Sequence, residues 1–260
     1  QEYGGISRYF YELIKKFKTN PAIDVSTSLL FSNNEYIKDK DVVQSTAFVR
    51  GLAFQKKVEA MNLINEFKSK AVYGQDAFDI FHPTYYDPYY LKILSSKPTV
   101  VTFHDLIHEK FKQYDHQTLK NKKKVLNKAD QIIAVSQNSK NDLMEHYSIP
   151  DARITVIHLA SSLITEQVLG VEAPAERYLL YVGNREDYKN FIFFAEAIAP
   201  LLIRDESLFL YCTGGGAFTR AERKLFQKLK ISTKIKLQPG SDENLQRMYT
   251  HAIAFFCPSL

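Results

Sequence analysis

The chain contains no tryptophan, two cysteines, three methionines, ten glycines and nine prolines in 260 residues. Two cysteines cannot build the disulfide framework of a small secreted domain, nor a four-thiolate zinc site. Cys212 and Cys257 both sit in apolar runs, so they read as buried thiols of a reducing compartment. No apolar segment approaches the length needed to cross a bilayer, and no signal peptide is visible. The expected protein is therefore soluble and cytoplasmic. HExxH, CxxC and GxxxxGKS are all missing, which removes the common zinc and P-loop chemistries, and no metal site is expected. An aromatic–basic repeat is missing too, so nucleic acid is not the favoured partner.

Apolar residues make up 45% of the chain, enough for one large or two ordinary cores. The net charge is +5, and one lysine cluster stands out, Lys120, Lys122, Lys123 and Lys124. Such a cluster reads first as a solvated helix face. Its second reading is contact with an acidic membrane surface or a polyanion.

Strand and helix patterns alternate, which predicts parallel sheets with helices on both faces. In the first part, helices are expected over 6–17, 52–73 and 117–127, and after Ser136 as N-cap through Tyr147. Strands are expected over 25–31, 78–81, 98–103, 131–135 and 154–157, with a polar, mobile loop over 33–46. Periodicity is lost over 163–176, which contains Gly170 and Pro174 and reads as a linker between domains 1–162 and 177–260. A second series then predicts strands over 179–182, 208–212, 235–237 and 253–257, and helices over 190–203, 219–229 and 242–249. The expected architecture is α/β, with two doubly wound, Rossmann-like domains in tandem across a cleft. Both ends read as cut, since Gly4-Gly5 opens a helix with no strand before it and Leu260 follows a strand directly.

Residues able to carry chemistry fall at the expected strand ends, where open α/β sheets bind ligands. The segment YLLYVGNREDYKN ends an apolar run at Gly183 and supplies Arg185 and Lys189 just before a helix. A helix start offers unpaired N–H groups to an anion, Arg forms forked bonds to phosphate, and Lys adds a point charge. Alternatively these cations are merely solvated. Gly4 and Gly5 at the first helix, and Gly214, Gly215 and Gly216 after the strand pattern LFLYC, would let a ligand approach the backbone, or are simple turns. His104, with Asp105 beside it, ends PTVVTF, and His82 ends another strand pattern. Either histidine could donate a hydrogen bond or move a proton, or be a satisfied core residue. Tyr85, Tyr86, Asp87, Tyr89 and Tyr90 form a ring-rich loop that could stack on a sugar or pack in the core.

Taken in order, GGISRYFYELI, TFHDL, ADQIIAVSQNSKNDL, YVGNREDYKN and SDENLQRMYTHAIAFFCPSL resemble successive segments of retaining glycosyltransferases of family 4, which have the GT-B fold. The resemblance covers almost the whole chain. It implies a metal-independent hexosyltransferase that needs no cofactor. A sugar would pass from a nucleoside diphosphate donor to a hydroxyl of a growing glycan or lipid-linked saccharide, at the inner membrane face or free of it. It implies that Arg185 and Lys189 hold the donor diphosphate, that Gly5 with Gly4 lines the same phosphates from the opposite domain, and that His104 contacts a hydroxyl of the reacting sugar. Gly214, Gly215, Gln238 and Pro239 become candidate nucleotide contacts, and His82, Tyr85 and Asp105 candidate acceptor contacts. The family's two-glutamate loop would follow Leu260 and is not in this sequence. Two other readings stay open: a catalytically silent sugar- or nucleotide-binding module, and a nucleotide-sugar epimerase of the same architecture.

Overall fold

A computed structural model describes residues 4–49, 55–73, 78–93, 97–111, 116–161, 174–185 and 187–260. The chain divides into two compact units, Gln1–Ala160 and Ser161–Leu260. Of the expected linker 163–176, residues 163–173 lie outside the described residues.

The first unit contains α1 (Gly5–Lys18), α2 (Lys57–Tyr73), β1 (Val100–Phe103), α3 (Ile107–Lys110), α4 (His116–Lys128), β2 (Gln131–Ala134), α5 (Gln137–Tyr147) and β3 (Ile154–Val156). β1, β2 and β3 form a parallel sheet in that order, with Phe103 opposite Ala134 and Ala134 opposite Val156. Ser136 caps α5 by accepting from the Ser139 N–H, as its residue type predicts. Phe103, Val125, Leu126, Ile132 and Leu143 are fully buried, so β1 and β2 pack against α4 and α5 around one core.

Three expectations for this unit change. Residues 25–31 do not pair as a strand, and at their end the Asn65 side chain of α2 bonds the backbone in place of a neighbouring strand. Its Oδ1 accepts from the N–H groups of Leu30 and Phe31, and its Nδ2 donates to the Phe31 carbonyl. Only an isolated bridge, Phe31 to Thr46, remains. Residues 78–81 likewise contribute a single bridge, Phe81 to Thr99, at the edge of β1. The 33–46 stretch is packed rather than a bare polar loop. It holds a 3-10 turn, Glu35–Lys38, which Asn34 caps, and it buries Val42 and Val43. Of the long helix expected over 52–73, residues 52–54 lie outside the described residues and the helix starts at Lys57.

The lysine cluster divides. Lys120, Lys123 and Lys124 are exposed on α4, but Lys122 is fully buried. Its Nζ lies 3.1 Å from both carboxylate oxygens of Glu109 and 2.7 Å from the Asp105 carbonyl, under the faces of Phe103 and Tyr86. The Tyr147 hydroxyl donates to the same carboxylate. A helical period of 3.6 turns one residue of such a run inward, and burial is tolerable because every N–H finds an acceptor.

The second unit contains β4 (Arg177–Val182), α6 (Phe191–Arg204), β5 (Leu208–Thr213), α7 (Arg220–Lys228), β6 (Ile235–Gln238), α8 (Asp242–His251) and β7 (Ala254–Phe256). Its sheet is parallel, in the order β6-β5-β4-β7. β4 reads RYLLYV because both its faces are covered. Leu179 and Tyr181 face a core with Phe191, Phe194 and Ile198 of α6, whereas Tyr178 and Leu180 face Met248 of α8. Cys212 is buried as expected, and burial pushes its thiol up to about 12. Cys257 is exposed instead, one residue beyond the end of β7.

Removing one partner of a buried ion pair leaves the other charge without compensation. Glu109→Ala is therefore expected to destabilise the first unit by about 3–5 kcal/mol, read as a shift of the urea unfolding midpoint. Lys123→Ala, on the exposed face, is expected to stay within about 0.5 kcal/mol.

Candidate functional site

In the second unit, the chain runs from β4 outward through β5 to β6, then returns to place β7 on the other side of β4. That reversal is a topological switch point, where parallel sheets open a crevice at their carboxyl ends. The turn after β4 and the tail after β7 meet there, with the Leu260 N–H donating to the Tyr188 carbonyl at 3.0 Å. A 3-10 turn, Asp187–Lys189, leads to Asn190 in the left-handed region at φ 53° and then into α6. Asn190 provides no side-chain cap, so the first N–H groups of α6 are not taken by its side chain. The Lys189 ammonium lies 5.1 Å from the centroid of the Tyr188 ring and makes no ion pair among the described residues.

Next to this turn lies the loop after β5. Gly183 and Gly214 both have positive φ, and a Cβ on Gly214 would come within 2.9 Å of the Gly183 carbonyl oxygen. The two strand ends thus pack backbone on backbone, which only glycine allows at that point. Gly214, Gly215 and Gly216 are exposed, with φ between 70° and 87°.

Arg185 is not a free cation. Its side chain is 4% exposed, and its Nε donates to Glu222 Oε1 at 2.5 Å. Nη1 donates to the Gly214 carbonyl at 2.6 Å, and Nη2 faces the carbonyls of Gly216 at 3.0 Å, Ala217 at 3.2 Å and Gly215 at 3.4 Å. The guanidinium also lies over Phe218, 4.8 Å from its centroid. Glu222 in turn accepts from the Thr219 N–H, completing a capping box at the start of α7. Burial raises the Glu222 carboxyl, but the Thr219 N–H and Arg185 outweigh it and hold the group below the usual carboxylate range. Farther along, Gln238 ends β6 half-buried, and Pro239 is exposed with its carbonyl accepting from Asn244.

In the first unit, His104 follows β1, and α1 is tied to the same strand end. The Tyr9 hydroxyl lies 3.1 Å from Thr102 Oγ1, and the Tyr9 ring meets His104 edge-on at 5.5 Å. His82 Nε2 lies 2.9 Å from the same Thr102 oxygen, and its ring meets Phe10. Tyr9 and His82 thus share the Thr102 hydroxyl, Tyr9 also touches His104, and α1 carries Gly4 and Gly5 at its start. Gly4 is the N-cap with no side chain to offer, Gly5 is exposed, and no acidic residue occupies the first turn. Burial lowers the His104 pKa, with Asp105 opposing and Lys122 adding to the shift. Its backbone is fixed on both sides, with the N–H donating to Tyr86 and the carbonyl accepting from Ser139.

The remaining candidates separate by burial. Asp105 caps the turn into α3, its Oδ1 accepting from the Ile107 N–H at 3.0 Å. Tyr86 and Tyr90 are core residues, while Tyr85 is 46% exposed. Sequence reasoning missed Glu222 and Tyr9. Glu222 was available as the fourth residue of T-x-x-E over 219–222, a capping-box pattern. Tyr9 carries no local signal, since only the packing of α1 brings it to Thr102. Among the described residues, no group of three His, Cys, Asp or Glu side chains is placed to hold a metal ion. No helix among them is long and apolar enough to cross a membrane.

Burial, with His104 adding a smaller push, lowers the His82 pKa from 6.5 to about 4. Above pH 6.5 the ring is neutral in folded and unfolded chains alike. Between 6.5 and about 4 the unfolded chain takes the proton first, so acid costs stability there. The slope is about 1.4 kcal/mol per pH unit, about 3 kcal/mol in all. His82→Asn is expected to remove that component from a pH series of urea unfolding curves. An NMR titration that finds the His82 ring protonating at its ordinary pKa in the native protein would overturn it.

Comparison with known proteins adds the family. The sequence model of Glycosyltransferase Family 4 matches residues 3–160, and that of Glycosyl transferases group 1 matches residues 165–260. A sequence search of curated proteins gives no match. Among solved structures, the chain is similar to a glycosyltransferase from Rickettsia africae, at 17% identity and a TM-score of 0.64, over 100% of this chain and 70% of that one. It is also similar to Anabaena HepE in complex with UDP and glucose, at 12% identity and a TM-score of 0.67, over 98% of this chain and 71% of that one. The lipopolysaccharide outer core galactosyltransferase WaaB is a third, at 15% identity and a TM-score of 0.60, over 98% of this chain and 70% of that one. At these identities the structural likeness is one of fold, and the two family matches, which together span nearly the whole chain, carry the assignment. The chain belongs to Glycosyltransferase Family 4, with a group 1 glycosyltransferase second half, among the α/β enzymes of GT-B fold.

Proposed function

We propose that this chain is a retaining hexosyltransferase that moves a sugar from a nucleoside diphosphate donor to a hydroxyl of a glycan or lipid-linked saccharide, without a metal ion. The observation that carries the reading is the switch point of the second unit. There the turn with Lys189, whose ammonium faces the Tyr188 ring and makes no ion pair among the described residues, leads into an α6 start that has no side-chain cap. The bond to be broken joins the anomeric carbon to the diphosphate, so negative charge grows on the leaving oxygen. A fixed ammonium and helix N–H groups aimed at that charge stabilise the transition state more than the ground state. Gly214, Gly215, Gln238 and Pro239, at the ends of the two neighbouring strands, are the proposed nucleotide contacts.

In the first unit, His104 is proposed to contact a hydroxyl of the reacting sugar, burial favouring the neutral ring, which can accept as well as donate. The uncapped start of α1 at Gly4 and Gly5 would receive an anionic or hydroxylated group. His82 would act from behind, through Thr102, and exposed Tyr85 would meet the acceptor. Exposed Lys120, Lys123 and Lys124 on α4 would supply peripheral contact with anionic lipid.

Isothermal titration with UDP, GDP and ADP tests the donor site, UDP coming first because HepE was solved with it. Lys189→Ala is expected to weaken the bound nucleotide about 10–100-fold with the fold intact. Unchanged affinity would reject the phosphate role. His104→Ala is expected to lower kcat on the order of 10²-fold with little change in nucleotide affinity. Product NMR should show the donor's anomeric configuration preserved and turnover unaffected by a chelator. Inversion, or loss of activity with chelator, would overturn that part of the reading.

A further inference from the structure

Arg185 has the residue type and position of a phosphate ligand, yet the fold commits it elsewhere. One N–H is bonded to a buried carboxylate, and the others face four consecutive carbonyls, Gly214 to Ala217. A guanidinium has five N–H donors and no acceptor, and four of the five are engaged here: Nε, one N–H of Nη1 and both of Nη2. Phe218 and Phe191 lie 4.8 and 5.8 Å from its Cζ and further hold its plane. Arg185 and Glu222 are only 4% and 8% exposed, and as a pair they add no net charge to the strand end.

The effect falls on the loop. Three successive glycines at positive φ form a segment with little intrinsic order, because glycine has many conformations to lose. Here their carbonyls converge on one cation, which leaves the opposite side of the loop exposed. The N–H groups of Gly215, Gly216 and Ala217 donate to no protein oxygen among the described residues. A Cβ on Gly215 would come within 2.9 Å of Arg185 Nη1, so the loop and the guanidinium fit closely.

We infer that Arg185, anchored by Glu222, is a positioning residue that locks the Gly214–Ala217 loop with its N–H groups turned toward the nucleotide, and that it does not bind the phosphates itself. The inference rests on the donor site proposed above. It leaves Lys189 as the side-chain cation that meets the diphosphate.

The two roles predict opposite responses to loss of Glu222. A direct phosphate ligand would be released from its carboxylate, and nearby negative charge would vanish, so UDP should bind equally well or more tightly. A positioning residue would lose its anchor, the loop would disorder, and UDP should bind about 10-fold more weakly. The experiment is calorimetric titration of wild type, Glu222→Ala and Thr219→Ala with UDP, with circular dichroism confirming the fold. Thr219→Ala removes the α7 cap but leaves the ion pair, so it should lower Tm without weakening UDP. Should Glu222→Ala not fold, Glu222→Gln, which keeps the shape and loses the charge, must still bind UDP more weakly than wild type.

Equal or tighter binding by the Glu222 variant overturns the inference while leaving the donor site standing. Equal weakening by Thr219→Ala also overturns it, because the helix cap would then explain the effect. Failure of wild type to bind any of UDP, GDP and ADP takes down the donor-site reading and this inference together.

Discussion

The second unit depends on one constraint: its parallel sheet is covered on both faces. Tyr178, Leu179, Leu180 and Tyr181 are all buried, with alternate side chains serving two different cores. Backbone polar groups inside such a sheet are used up by the ladder, and unpaired ones can survive only at the strand ends. The candidate site of this unit therefore lies where β4 and β5 stop. The same constraint explains why the loops there run so close that Gly214 cannot carry a side chain beside Gly183.

Each unit meets a second constraint, buried charge, in the same way. Lys122 in the first and Arg185 in the second are cations shielded from water, each paired with a glutamate, Glu109 and Glu222. A desolvated cation must satisfy every N–H it has, and the nearest spare acceptors are carbonyls of the loop after a strand. Lys122 thus holds the Asp105 carbonyl beside His104, and Arg185 holds the Gly214–Ala217 carbonyls. In both units, the ion pair fixes backbone beside the candidate site instead of entering it. Lys189, by contrast, makes no ion pair among the described residues.

Much of the fold was legible because parallel-sheet strands are short continuous apolar runs. VVTF, QIIA, RYLLYV and LFLYCT all lie where their composition predicts, as do the helices between them. The misreadings share a cause. Residues 25–31 and 78–81 have strand composition but only bridges for pairing, because whether an apolar run becomes a strand depends on a neighbour brought by the rest of the chain. The ring-rich loop after His82 read equally as a sugar platform or as core, and three dimensions bury Tyr86 and Tyr90 while leaving Tyr85 outside.

The sequence by itself determined the alternation of elements, the glycines after β4 and β5, the two family segments and the presence of cations near a helix start. These are local, set by side-chain periodicity and by the few residues that tolerate positive φ. Tertiary structure alone decided which cation is available. Arg185 and Lys189 are four residues apart in one turn, yet Glu222, from a helix 37 residues away in sequence, captures the first and not the second. It likewise placed Tyr9 and His82 on one threonine and turned Lys122 inward from a basic run. Partnership between distant residues is a property of packing, and packing is set by burial of the whole core, which no single segment encodes.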